Sequence, residues 1–114
     1  MYFTEKERKI ITPFYKYLSD NKFVEEPFLL KWKNGTKILA TFYTAYDDFN
    51  DLEPEDSNYE EYNSFVMKIQ KIICLNEKDG FNWVADRELF EFSYKDFPDE
   101  IYNSKGELIS KREN

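Results

Sequence analysis

Apolar positions near the start of the chain recur at helical spacing. Ile10, Ile11, Phe14, Tyr15 and Leu18 form one stripe and predict a helix over residues 4 to 20. Thr4 and Glu7 have the spacing of a capping box, a hydroxyl at the N-cap and a glutamate three residues on. Pro13 interrupts the run: either it kinks one helix, or Thr12 caps a second helix with Pro13 at its first position. Past Asp20-Asn21 the period falls to two. Phe28, Leu30 and Trp32 share one face of a strand, and Asn34-Gly35 is hairpin-turn chemistry because both residues accept positive φ. The return strand covers residues 37 to 46, with Ile38, Ala40, Phe42 and Thr44 aligned. A long third strand follows over residues 65 to 75, and residues 76 to 80 read as a turn. A fourth strand carries Phe90, Phe92 and Tyr94. The connection Phe97-Pro98-Asp99 leads to a short fifth strand at Glu100-Ile101-Tyr102, and Gly106 turns the chain again into Leu108-Ile109.

This order predicts a mainly β fold with an N-terminal helix: a small, strongly bent, five-stranded antiparallel barrel, which leaves few exposed edges. One domain spans residues 1 to 114, with the helix at 4 to 20, the barrel at 28 to 109 and a loop at 46 to 62. Eleven phenylalanines, nine tyrosines and two tryptophans suit a pleated core and leave some rings for a partner surface.

Charge changes the picture at one place. The stretch YDDFNDLEPEDSNYEEY, residues 46 to 62, holds eight carboxylates and no lysine or arginine, so it carries −8 while the whole chain carries −7. The remainder is close to neutral. Such a field repels phosphate backbones and anionic membranes and attracts a basic protein, so neither nucleic acid nor a membrane is the expected partner.

The chain contains no histidine, which removes the commonest general base, the commonest transition-metal ligand and every Ser-His or Cys-His nucleophile. Cys74 is the single cysteine, so no internal disulfide and no cysteine zinc site is expected; its apolar neighbours predict a buried, inert thiol. Carboxylates suit calcium or magnesium, but no register from Asp47 or Asp48 gives the EF-hand ligand spacing. Paired carboxylates for hydrolysis need a rigid cleft that a loop of this kind does not supply. The expectation is a non-catalytic protein without cofactor or metal. No apolar run approaches a membrane span, and MYFTEKERK lacks a signal-peptide core, so the cytoplasm is the expected compartment.

FLLKWKNGTKILATFYTAYDDFN, residues 28 to 50, resembles the first motif of Sm-like proteins, which are SH3-like barrels preceded by a helix. Gly35 fits the motif's turn, Ala40 stands at its small residue and Asn50 at its loop asparagine. Tyr46 stands where the motif has aspartate, and the Arg-Gly pair of the second motif is absent. The resemblance implies an architecture rather than RNA binding.

The candidate site is the acidic stretch. Asp47, Asp48, Asp51, Glu53, Glu55, Asp56, Glu60 and Glu61 alternate with Tyr46, Phe49, Leu52, Tyr59 and Tyr62. Aromatic anchors in a field of one sign are what an interface with a basic partner uses, because charge steers the encounter and rings supply buried area. The reading is a small acidic binding protein of inhibitor or immunity type, whose carboxylates stand in for phosphates in a cationic groove and whose Phe49, Tyr59 and Tyr62 anchor it. Trp83, after a turn, is a further candidate anchor. Lys31, Lys33 and Lys37 read as lysines guarding a sheet edge. The alternative is an Sm-like structural barrel that self-associates into a homo-oligomer, with residues 46 to 62 only a solvated connector.

Overall fold

A computed structural model describes residues 3–50, 52–75, 82–84 and 88–112, with residues 49 and 82–84 described by backbone alone. Helix α1 spans Glu5–Asp20. Seven strands follow among the described residues: β1 Pro27–Lys31, β2 Lys37–Phe49, β3 Glu61–Cys74, β4 Asn82–Val84, β5 Leu89–Phe92, β6 Glu100–Tyr102 and β7 Leu108–Lys111. The turn expected at residues 76–80 lies outside the described residues.

The capping box forms at the start of α1: Glu7 N donates to Thr4 Oγ1 at 3.4 Å, and Thr4 N donates to Glu7 Oε1 at 3.0 Å. The helix runs through Pro13 without a second start, with Pro13 on the exposed side. At its end Lys22 N donates to Ser19 O at 3.0 Å and Phe23 N to Leu18 O at 2.7 Å, a Schellman closure. Lys22 and Phe23 both sit at positive φ, 55° and 54°, where a side chain crowds its own backbone. Substituting glycine for Lys22 is therefore expected to raise stability by about 0.5–1 kcal/mol, read as a higher denaturation midpoint. A lower midpoint would mean that the lysine side chain stabilises the turn.

The sheet is antiparallel in the order β4-β5-β3-β2-β1-β6-β7. Its inner face packs on the stripe Ile11, Phe14 and Leu18, and Phe14 meets the rings of Phe28, Phe65 and Phe97 at 5.2–6.1 Å. Three register shifts in the β2–β3 ladder add the local twist and bend of β-bulges. The bend is strong enough that Trp32, just past β1, reaches the rings of Phe90 and Phe92 on β5 at 6.0 and 6.3 Å. Trp32 Nε1 also donates to Asp96 O at 2.9 Å in the segment linking β5 to β6.

The structure corrects the sequence reading in four respects. The sheet curls but stays open, because no described pairing joins β4 to β7; it is not a closed five-stranded barrel. The count of five strands was too low: β4, only three residues long, was not anticipated, and the hairpin read at Leu108-Ile109 adds a strand of its own, β7. Cys74 is exposed, since the end of β3 projects beyond the core together with Ile72 and Ile73. Lys31 and Lys37 do not guard an edge, because β1 and β2 are paired on both sides. No helix among the described residues is long and apolar enough to cross a membrane.

Candidate functional site

The acidic stretch is strand at both of its ends. β2 continues to Phe49 and β3 begins at Glu61, with Tyr46 opposite Ser64, Asp47 opposite Asn63, Asp48 opposite Tyr62 and Phe49 opposite Glu61. Residues 46–49 and 61–62 therefore belong to a long hairpin, and only residues 50–60 connect its arms. Asn50 ties the base of that connection: its Nδ2 donates to Asn58 O at 2.7 Å, and its Oδ1 accepts from Glu60 N at 3.3 Å. Asp56 closes the next turn by accepting from Asn58 N at 2.8 Å.

A buried carboxylate fixes this hairpin to the helix. Glu7 is fully buried, as part of the helical stripe that faces the sheet. Its Oε2 accepts from Asn63 N at 2.8 Å and from Asn63 Nδ2 at 3.2 Å, in addition to the capping bond from Thr4. Charge-assisted bonds of this kind are the strong ones, and they compensate for burying the charge.

Around this joint lies a cleft of about 500 Å³ lined by Thr4, Glu7, Asp47, Tyr59, Glu61 and Tyr62, among others. Cross-strand partners share a face, so Asp47 and Asn63 turn toward α1, while Tyr46, Asp48, Tyr62 and Ser64 occupy the opposite face. There Tyr46 donates its hydroxyl to Glu91, and Ser64 donates to Asp48 at 3.2 Å. Tyr59 donates to Glu61 at 2.7 Å.

Glu60 is set apart from its neighbours. It pairs with Lys95 at 3.0 Å and Lys6 at 3.7 Å, and Tyr94 donates to both of its oxygens at 2.9 Å. Burial alone would raise its carboxyl, but the bonds from Lys95 and Tyr94 outweigh burial and hold it below the ordinary value. Lys95 also lies over the Tyr62 ring at 4.6 Å, which braces that ring from behind.

Burial, followed by the bond to Glu60, pushes the Tyr94 phenol up to about 12. Burial and the bond to Glu91 push Tyr46 up as well. A phenol raised in the folded state contributes stability that is complete below its ordinary value and lost as pH rises through the raised value. Stability is thus expected to fall progressively above pH 10.0, the ordinary tyrosine value, toward about 12. Tyr17, Tyr59 and Tyr102 are raised too, so phenolate absorbance would show several late-titrating tyrosines, one fewer in Tyr94→Phe. Titration of all tyrosines in a single step at the ordinary value would contradict these bonds.

Of the residues singled out by sequence, the structure gathers Asp47, Asp48, Tyr59, Glu61 and Tyr62 around the cleft. Glu53, Glu55 and Asp56 lie exposed on the connection. Glu60 is engaged internally. The Phe49 and Trp83 side chains and all of Asp51 lie outside the described residues. Glu7, Asn63, Tyr94 and Lys95 were missed; only Glu7 carried a signal, its capping-box spacing, which says nothing of its second bond. Among the described residues no group of three or more His, Cys, Asp or Glu is placed to hold a metal ion.

The structure thus presents a small β-rich scaffold with a charged, ring-bearing hairpin tip, and comparison with protein families places residues 7–114 among the cognate immunity proteins. The chain belongs to the family described as cognate immunity protein YxxD. No curated protein matches it. No solved structure matches it.

Proposed function

We propose that this protein binds and neutralises its cognate toxin stoichiometrically, without catalysis, through the tip of the β2–β3 hairpin. Family membership supports the class of activity. The observation that carries the choice of surface is the cleft at the tip, where Tyr59 and Tyr62 stand among Asp47, Asp48 and Glu61 on a hairpin fixed by the buried Glu7–Asn63 joint. A rigid platform loses little entropy on binding, so charge and ring area are converted efficiently into affinity. The field selects a toxin with a basic binding face, such as the cationic groove of an enzyme acting on nucleic acid, where the tip carboxylates replace phosphates.

The test is affinity capture from a lysate of the source organism, with wild-type bait and a bait in which Asp47, Asp48, Glu53, Glu55 and Glu61 are changed to Asn or Gln. The reading expects one basic protein that is retained by wild type, lost by the variant and released by salt. That protein should arrest growth when expressed alone and not when co-expressed with this chain. Equal capture by both baits would remove the tip from the interface.

A further inference from the structure

The sheet face turned away from α1 is divided by charge along its length. Cross-strand pairing places Tyr102, Leu29, Leu39 and Lys71 in one row of that face and Glu100, Lys31 and Lys37 in the next, where Glu100 accepts from the Tyr102 hydroxyl at 3.1 Å and the lysines outnumber it. Lys68, opposite Thr41, extends the basic half. Lys37, Lys68 and Lys71 are exposed, and among the described residues none makes an ion pair. Beside them runs a groove of about 500 Å³ walled by Pro27, Leu29, Leu39 and Tyr102, with Lys31 at its side. No described element covers it.

Farther along the same strands, on the same face, stand Tyr46, Asp48 and Tyr62. They continue into the exposed Leu52, Glu53 and Glu55 of the tip. From Lys37 to Asp48 the extended backbone of β2 covers about 35 Å, so the two halves of one hairpin cannot meet. Two copies laid face to face and antiparallel bring each acidic tip onto the other's basic half, twice over, with Leu52 and the tip rings available to fill the apolar groove. Such an isologous contact closes at two copies. The net charge of −7 repels the copies at long range. Salt screens that repulsion beyond about 8 Å at physiological ionic strength, but spares pairs in contact.

We infer that the outer face of this sheet docks a second copy of the chain, giving an antiparallel dimer in which each acidic tip is covered by the partner's lysine face. The inference does not rest on the toxin reading, and its test uses the protein alone. Because the dimer covers the proposed toxin-binding tip, toxin and second copy compete for it.

Sedimentation equilibrium tests it with wild type, D48K/E53K/E55K, K68E/K71E and, as a control of equal net charge on the helix surface, R8E/K9E. Wild type and R8E/K9E are expected to be dimers. D48K/E53K/E55K and K68E/K71E are each expected to dissociate about tenfold or more readily, because each brings like charges together at both contacts. An equimolar mixture of those two should recover the dimer, since every contact is then complementary. Circular dichroism confirms folding, and K68Q/K71Q replaces a reversal that does not fold. A monomeric wild type, a K68E/K71E as dimeric as R8E/K9E, or a mixture that stays monomeric would overturn the proposal. So would loss of toxin capture in K68E/K71E with its self-association unchanged, which would assign the groove to the toxin.

Discussion

Replacing Glu7 with alanine is expected to destabilise the protein by about 3 kcal/mol, read as a lower denaturant midpoint at unchanged slope. Three effects add. The capping bond to Thr4 N is lost, the backbone N–H and side-chain amide of Asn63 lose an ionised acceptor, and both belong to a residue that is 2% exposed. The gain from no longer burying a carboxylate offsets part of this. Asn63→Asp separates the electrostatic account from simple packing. It keeps the size of the side chain but sets a second carboxylate against Glu7, where two negative charges cannot both remain ionised cheaply. That variant should be less stable than wild type at neutral pH and should recover as pH falls, because protonation removes the repulsion. Equal losses in Asn63→Asp and Asn63→Ala at every pH would indicate that shape alone matters at this joint.

The second large effect concerns binding, and the tip carboxylates should not contribute equally. Neutralising Asp47, Asp48, Glu53, Glu55 and Glu61 together is expected to slow association with the toxin by about ten- to a thousandfold and to flatten its salt dependence. Tyr62→Ala should instead speed dissociation, costing about 2 kcal/mol if the ring is a central anchor. Glu60→Gln is expected to change affinity little, because its charge is already matched by Lys95 and Lys6 within the molecule. It should cost local stability instead. Its carboxyl is held below the ordinary value, so its contribution is complete above that value and is lost as pH falls through the lowered one. Measurement of association and dissociation rates on the three variants distinguishes these roles.

Local rules made part of this site legible. The capping box, the period-two runs and the Asn34-Gly35 turn are each set by neighbouring residues, and α1, β1 and the start of β2 follow them. The acidic stretch stood out by composition, but its ends, residues 46–49 and 61–62, were misread as loop. High charge density is a property of solvated loops, yet here Asp47, Asp48 and Glu61 are strand residues whose backbones are satisfied by cross-strand pairing. That pairing depends on register across a gap of eleven residues, which composition does not reveal. Closure of the sheet was also beyond local reading. The Trp32 contact with β5 shows how far the sheet curls, but whether the edges bond is decided by the sum of its bulges and twist. The second role of Glu7 was hidden for the same reason, since Asn63 lies 56 residues away in sequence.

The hairpin tip is the proposed toxin-binding surface. Its most direct test is a titration of the captured toxin with wild type and with the variant neutralised at Asp47, Asp48, Glu53, Glu55 and Glu61, after circular dichroism has shown the two equally folded. The expected result is a dissociation constant raised at least about a hundredfold in the variant, together with loss of protection when the two proteins are co-expressed. An unchanged constant with protection intact would contradict it and move the interface away from the tip.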